Sequence, residues 1–373
     1  MRIRHADGQT LHLSYCTNVH AAEDLEGILT QLDTYAVPIR AALDTDVLGL
    51  GLWLAAPAAA GLAESPAERR RLRGALDARG LEVVTLNGFP YAAFHQPVVK
   101  RAVYQPDWTS PRRLSYTLDL AWVLDDLLPA DAARGSISTL PLAWRTPWDT
   151  DRSDACRRAL DTLTLELGRL DREIRIALEP EPGCVIENTE QAVDWLRDAD
   201  PTRLGVCLDL AHLACAWEKP AAALDALCAA GVPIVKTQIS AALASDDPRA
   251  DAATLAAYVE PRFLHQTRGR DGLSTDDLDE ALASGATGQP WRVHYHVPLH
   301  ASPVPPLQPT TDVLNDALRG LLGGREALCD HFDVETYTWG VLPPELRPQS
   351  PAQLAAGIAA ELSYARSRIE VLR

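Results

Sequence analysis

The sequence is short of basic charge: 35 Lys and Arg stand against 51 Asp and Glu, a formal net charge of −16. Nucleic acids and anionic membrane surfaces both need a basic footprint, so neither is an expected partner. Long apolar runs are also missing. No uncharged stretch reaches the roughly 18 residues of a spanning helix, and Met1–Gln9 has no apolar signal core. The expectation is a soluble, cytoplasmic protein without membrane insertion. Cysteine is sparse and unpatterned: seven in all, no Cys-x-x-Cys, with Cys16, Cys184, Cys207 and Cys215 in or beside apparent strands. That argues against a disulfide framework or a structural zinc site. Gly-x-Gly-x-x-Gly, a Walker loop and Gly-x-Ser-x-Gly are all absent from strand-turn-helix contexts, which leaves nucleotide-cofactor and serine-hydrolase readings unsupported.

What is present is alternation. The 373 residues are 47% hydrophobic, enough for a large core in two domains or in one α/β barrel. Strand-like runs at 11–16, 48–53, 81–87, 136–140, 174–179, 204–209, 234–239, 293–297 and 332–337, with a shorter one at 263–266, alternate with helical patterns. Ten candidates exceed the eight of a closed (β/α)8 barrel, so one or two near 262–300 are expected in an inserted hairpin or at an edge. Ser65-Pro66-Ala67-Glu68 reads as a capping box, Ser350-Pro351 opens the last helix, Ser274 with Asp277 opens another, and Gly231 closes the one begun near Pro220. No low-complexity linker or charge block divides the chain. A single barrel domain over 1–373 is expected, with an insertion at 240–310.

Within the strands, large apolar residues share one parity and small or polar residues the other. Leu204, Val206 and Leu208 oppose Gly205, Cys207 and Asp209; Leu48, Leu50 and Leu52 oppose Gly49, Gly51 and Trp53. The first set is expected to face outer helices and the second a crowded barrel interior. Polar inward residues fall at carboxyl ends, where barrel active sites sit. These are Glu179, Asp209 followed by His212, Gln238, and Glu335 beside Tyr337. Three carboxylates converging on one mouth repel unless protons or a cation lie between them, and a divalent ion is the favoured solution. Oxygen ligands with an imidazole or amide suit Mn, Mg, Co or Zn alike. Taken singly, each carboxylate also reads as a loop-end charge or helix N-cap. Glu181 shares the parity of Glu179 but lies beyond Pro180, placing it at the ion or one step out.

Leu178-Glu179-Pro180, Leu208-Asp209-x-x-His212 and the terminal-strand Glu335 together resemble the xylose-isomerase-like TIM-barrel superfamily of sugar isomerases and epimerases. Leu13–His20, Asn87–Tyr91 with Phe94-His95, Tyr104–Trp108 and Val334–Trp339 are similar to the narrower metabolite-traffic protein EboE family. The resemblance implies that Glu179, Asp209 and Glu335 ligate a metal, that Glu179 and Glu335 also act as acid and base, and that His212 contacts substrate or metal. It also implies a setting in bacterial secondary metabolism. Gln238 departs from the pattern, since sugar epimerases of this fold usually carry a His ligand there. His265 and the His294-x-His296 pair followed by His300 are candidates for the missing imidazole; on a continuing strand 294, 296, 298 and 300 would share a face.

The stretch 88–113 is too long for a simple β-α connection and is rich in aromatic and basic residues, among them Phe89, Tyr91, His95, Lys100, Tyr104 and Arg113. It reads as a lid over a polyol or sugar-like ligand, or as a contact in a homo-oligomer. Asn87, at its start, and Trp53 are candidate ligand contacts, Trp53 equally a core residue. The favoured activity is a metal-dependent isomerisation or epimerisation of a small polyhydroxylated carbonyl compound. A metal-dependent hydrolase and a non-catalytic metabolite-binding protein are the alternatives, and the charge disfavours an endonuclease of the same fold.

Overall fold

A computed structural model describes residues 1–285 and 288–373; residues 286 and 287, within the expected insertion, lie outside the described residues. Eight parallel strands close into a barrel: β1 (Thr10–Cys16), β2 (Leu48–Trp53), β3 (Leu81–Asn87), β4 (Gly135–Thr139), β5 (Ile174–Leu178), β6 (Leu204–Asp209), β7 (Ile234–Ile239) and β8 (His331–Val334). Closure comes from pairing on both sides of β1, with β8 (Phe332 opposite Leu13) and with β2 (Tyr15 opposite Leu50). Helices surround the barrel, and a short strand Arg2–Arg4 pairs antiparallel with β1. Among the described residues no helix is long and apolar enough to cross a membrane, and all seven cysteines are free.

The expected parity is realised inside the barrel. Ala177, Cys207 and Val235 form a small apolar cluster of their own, separate from the main core. Beside them runs a buried polar network: Lys236 Nζ lies 2.9 Å from Asp333 Oδ2, and Ser14 Oγ donates to Asp333 Oδ1 at 2.8 Å. Gly51 is required opposite this pair, because a Cβ there would sit 1.9 Å from Asp333 Oδ2. Gly51→Ala should therefore force the carboxylate off Lys236, and breaking a buried pair costs about 3–5 kcal/mol. Urea unfolding is the measurement; a loss under about 1 kcal/mol, as for an ordinary surface change, would contradict it.

The inserted region is more elaborate than a hairpin. Between β7 and β8, five short strands form a second, antiparallel sheet: Ala242–Ser245, Thr267–Gly269, Ser274–Thr275, Trp291–His296 and Gln308–Pro309. Several sequence expectations are corrected here. Residues 263–266 are not a strand: the His265 N–H goes to the Asp277 side chain, and pairing begins only at Thr267. Asp277, not Ser274, caps the helix Leu278–Ser284, since Ser274 is occupied in pairing with Arg268. β8 ends at Val334, after which Tyr337–Val341 forms a turn of 3-10 helix. The strand carrying His294 and His296 ends at His296, so His300 leaves that face and stacks near Trp339. At Ser65 only half a capping box is present, its hydroxyl accepting from the Glu68 N–H.

Candidate active site

All four strand-end candidates arrive at the carboxyl end of the barrel. Glu179 follows β5 and anchors its N–H on the Thr139 carbonyl at 3.0 Å. Asp209, the last residue of β6, is the N-cap of the helix Leu210–Cys215. That cap uses one oxygen only: Oδ1 accepts from His212 N at 2.9 Å and from Ser240 Oγ at 2.8 Å. Oδ2 is left over. Glu335, just past β8, accepts at Oε1 from Asn18 Nδ2 (2.7 Å) and Asn87 Nδ2 (2.9 Å). Asn18 sits on the turn after β1 and Asn87 at the end of β3, so one carboxylate oxygen gathers three strand ends.

The inserted sheet supplies two imidazoles, His294 and His296, and the helix after β6 supplies His212. His296 Nδ1 donates to the Glu335 carbonyl at 2.8 Å, and its Nε2 lies 3.8 Å from Asp209 Oδ2. His212 Nδ1 donates to the Pro180 carbonyl at 2.8 Å. His294 Nδ1 meets Gln266 Oε1 at 2.8 Å, and the Gln266 amide nitrogen donates to Pro182 O and Tyr104 OH, which fixes its oxygen toward the imidazole. Carbonyl-type oxygens only accept, so all three Nδ1 atoms carry the proton and all three Nε2 atoms present lone pairs. His212 and His294 face each other Nε2 to Nε2 at 2.9 Å. Two lone pairs at that distance repel, and the contact becomes attractive only with a proton or a cation against it.

Buried atoms without a hydrogen-bond partner include Glu179 Oε2, Asp209 Oδ2, His296 Nε2 and both amide atoms of Gln238. Such atoms are costly to bury unless something coordinates them. Ligand atoms of Asp209, His296 and Glu335 lie within 4.8 Å of one another, as do those of Glu179, Asp209 and His212, and those of His212, His294 and His296. The donor set therefore fits a divalent cation. Nδ1-pinned imidazoles are the usual outer support of such a centre. Where Gln238 breaks the expected pattern, an imidazole arrives from the inserted sheet instead.

Electrostatics point the same way. Burial, reinforced by Glu335 and Asp209, raises Glu179 well above the ordinary carboxylate range. Burial pushes Glu335 up to about 7, with His296 opposing and Asp209 adding to the shift. Glu181 is pushed up to about 8 by burial, against the hydrogen bond from Tyr104. Burial lowers His212 to about 4. Near neutral pH the ion-free carboxylates thus hold protons that an ion must displace. The affinity for a divalent ion should rise with pH through about 7, as Glu335 gives up its proton. Glu335 and Glu181, protonated in the ion-free fold above the ordinary carboxylate range, contribute stability that is lost as pH rises through about 7 and about 8, while the lowered His212 contributes in the opposite sense up to about 6.5. Competition titration with a chelating dye at several pH values checks the first, and an affinity independent of pH would refute it.

Above these groups lies a cavity lined by Asn18, Asn87, Glu179, Glu181, His212, His294 and Glu335 at its floor and by Phe89, Phe94, Tyr104, Phe263 and Tyr337 on its walls. Tyr104 was named in the lid stretch, whereas Asn18 and Gln266 were not singled out as site residues from sequence. Nothing local marks them, although Asn18 lies just two residues beyond a barrel strand end. Other candidates are corrected. Trp53 stays outside this cavity: it is 2% exposed, with its indole N–H on the Pro90 carbonyl. His95 Nε2 donates to the Asn18 carbonyl at 2.7 Å, supporting Asn18 from behind. His265 is wholly buried between the His294 carbonyl and Glu260. In the 88–113 stretch, Arg113 is spent on the carbonyls of Pro106, Gly88 and Phe89, Arg101 on Asp276, and Lys100 on Asp277 and two carbonyls. Of its aromatic residues Phe89, Phe94 and Tyr104 line the cavity, and of its basic residues only Lys100 does.

Solved structures with this architecture include a xylose isomerase-like TIM barrel protein from Mycobacterium smegmatis in complex with magnesium (14% identity, 98% of this chain and 100% of that one, TM-score 0.55). The IOLI protein with a bound zinc atom also matches (10% identity, 97% and 99% covered, TM-score 0.55). So does D-allulose 3-epimerase from Methylomonas sp. in complex with D-allulose (12% identity, 96% and 97% covered, TM-score 0.52). At these identities the likeness shows the fold alone. A search of curated protein sequences finds no match. The family model of the xylose isomerase-like TIM barrel matches residues 39–272, well over half of the sequence, and the chain belongs to that family.

Proposed function

We propose that the protein is a metal-dependent isomerase or epimerase of a small polyhydroxylated carbonyl compound, a sugar or cyclitol. The observation that carries this reading is the pairing of Glu179 and Glu335 in one cavity with unpartnered Asp209, Gln238 and His296 atoms between them. In this reading Glu179, Asp209, Glu335 and His296 hold the ion, with Gln238 as a weaker oxygen donor. A bound divalent ion would polarise a substrate carbonyl and acidify the neighbouring C–H. Of the chain's own groups, one of Glu179 and Glu335 takes that proton and the other returns it. His212, His294 and Glu181 lie against the same floor and orient hydroxyls, while Phe89, Phe94, Phe263 and Tyr337 cover the apolar C–H faces and keep water out. The small-molecule ligands named for related structures, D-allulose among them, support the substrate class.

The narrower likeness to the EboE family, carried by Leu13–His20, Asn87–Tyr91 and Val334–Trp339, extends the proposal to bacterial secondary metabolism. The test is exchange of a substrate C–H for solvent deuterium, followed by NMR, with protein loaded separately with Mn, Mg, Co and Zn. A panel of ketoses, aldoses and cyclitols should contain at least one compound that exchanges. Failure across the whole panel with metal bound would replace the enzyme reading with that of a metabolite-binding protein.

A further inference from the structure

The last helix, Pro351–Leu372, packs on the barrel through Ala355, Ile358, Leu362, Ala365 and Ile369, and among these apolar residues lies Glu361, 1% exposed. A carboxylate buried in an apolar seam persists only where donors compensate it. Glu361 has three, all neutral, and none belongs to its own helix. Oε1 accepts from the Leu299 N–H at 3.0 Å and from Thr336 Oγ1 at 2.6 Å, and Oε2 accepts from the Trp339 indole N–H at 3.1 Å.

Those partners sit on the two segments that complete the cavity. Leu299 is three residues past His296. Thr336 is next to Glu335, and Trp339 is two past Tyr337. The segments touch at the cavity itself, where His296 Nδ1 donates to the Glu335 carbonyl (2.8 Å) and Thr338 Oγ1 donates to the His296 carbonyl. Farther out β8 has ended at Val334 and the strand at His296, and the Tyr295 hydroxyl joins the segments once more by donating to the Val341 carbonyl at 2.7 Å. Glu361 joins them there and ties both to an outer helix. Trp339 is held closely against that helix as well: a Cβ on Gly357 would lie 2.7 Å from its ring.

We propose that Glu361 is a positioning residue for the active site, fixing the separation of the His296 and Glu335 segments and so the geometry of the donors they present. The proposal rests on the metal-site reading given above. It also explains why a carboxylate is needed. Three donors converge on it, and a carboxylate offers an acceptor oxygen on each side, whereas an amide presents an N–H to one of them. In Glu361→Gln the amide nitrogen confronts the Trp339 indole N–H if the other oxygen keeps its partners.

The experiment measures Co²⁺ affinity by competition with a chelating dye, together with melting temperature. The proteins are wild type, Glu361→Gln, Trp339→Phe, the double variant, and Ile369→Ala as a helix control that touches none of the three contacts. Glu361→Gln should bind Co²⁺ roughly 10- to 100-fold more weakly, the range for residues that orient metal ligands. Trp339→Phe removes the opposing donor, so the double variant should recover part of that loss. Ile369→Ala should melt earlier with unchanged affinity. If Glu361→Gln does not fold, Thr336→Val, which cuts the single arm nearest Glu335, carries the test and should weaken binding in the same direction. Affinity within about twofold of wild type in the folded variant, or an equal loss in Ile369→Ala, overturns the positioning role while leaving the metal site intact. No Co²⁺ binding by wild type overturns both.

Discussion

Glu335→Gln is expected to lose C–H exchange far out of proportion to any loss of bound metal. The variant is unusually clean. Asn18 and Asn87 both donate to the same oxygen, Oε1, at 2.7 and 2.9 Å. A glutamine oxygen can take both, so the side chain keeps its orientation and its NH2 group replaces only Oε2. Removing one negative charge should weaken metal affinity, and that part is corrected by working at saturating metal. What then remains is the proton. Burial pushes Glu335 up to about 7, which places it where a group both accepts and returns a proton near neutrality. Loss of a general acid or base costs about 10²- to 10⁴-fold in rate. Exchange that survives intact in the metal-loaded variant would reduce Glu335 to a ligand and leave Glu179 as the sole proton carrier. The same measurement on Glu179→Gln then shows whether one carboxylate or two are used.

Much of this site was legible because barrel strands write their two faces into sequence. Leu48–Trp53, Leu81–Asn87, Leu204–Asp209 and Ile234–Ile239 occur with the ends expected. The inward side chain at each carboxyl end must then point at the mouth, which locates Glu179, Asp209 and Gln238 without reference to partners. The alternation misled where it continued past the strand. Glu335-Thr336-Tyr337 keeps the period of two, yet Thr336 turns to Glu361 and the chain leaves the barrel.

The inserted sheet was illegible for a different reason. Its strands are two to six residues long, and Ala242–Ser245 finds its partner in Trp291–His296, across nearly fifty residues of sequence. Local pattern holds no trace of that pairing, so His294 and His296 could be offered for the missing imidazole but the sheet that carries them could not be foreseen. Arg113 and Trp53 show a third limit. A basic or aromatic side chain in a long connection reads as ligand-facing, whereas Arg113 is consumed by three backbone carbonyls that the irregular chain leaves unpaired. Glu361 is the converse. It is one of two glutamates in a 22-residue helix, and only the packed structure shows it buried.

Asp209→Asn and Asp209→Ala should separate the two jobs of one side chain. Oδ1 caps the helix Leu210–Cys215 through the His212 N–H and accepts from Ser240, while Oδ2 is unpartnered and faces His296 Nε2 at 3.8 Å. Asparagine keeps an oxygen for the cap and removes the charge. Alanine removes both, adding the cap loss of about 0.5–2 kcal/mol. Both variants should lose divalent-ion affinity by more than the roughly 10- to 100-fold that follows changes to outer residues, since a charged donor is gone. Ion-free stability should move the other way in the asparagine variant. Asp209 is one of the charges that raise Glu179 and Glu335 after burial itself, so its neutralisation relieves repulsion among groups that must otherwise hold protons. Without ion, Asp209→Asn should therefore unfold at the same denaturant concentration as wild type or higher near pH 8. With ion at one hundred times the wild-type dissociation constant, wild type should gain about 2.7 kcal/mol and the variant almost nothing. Denaturant unfolding with and without ion reads all of these numbers. An equal ion-induced gain in wild type and Asp209→Asn would remove Asp209 from the ligand set and move the ion toward the His212, His294 and His296 nitrogens.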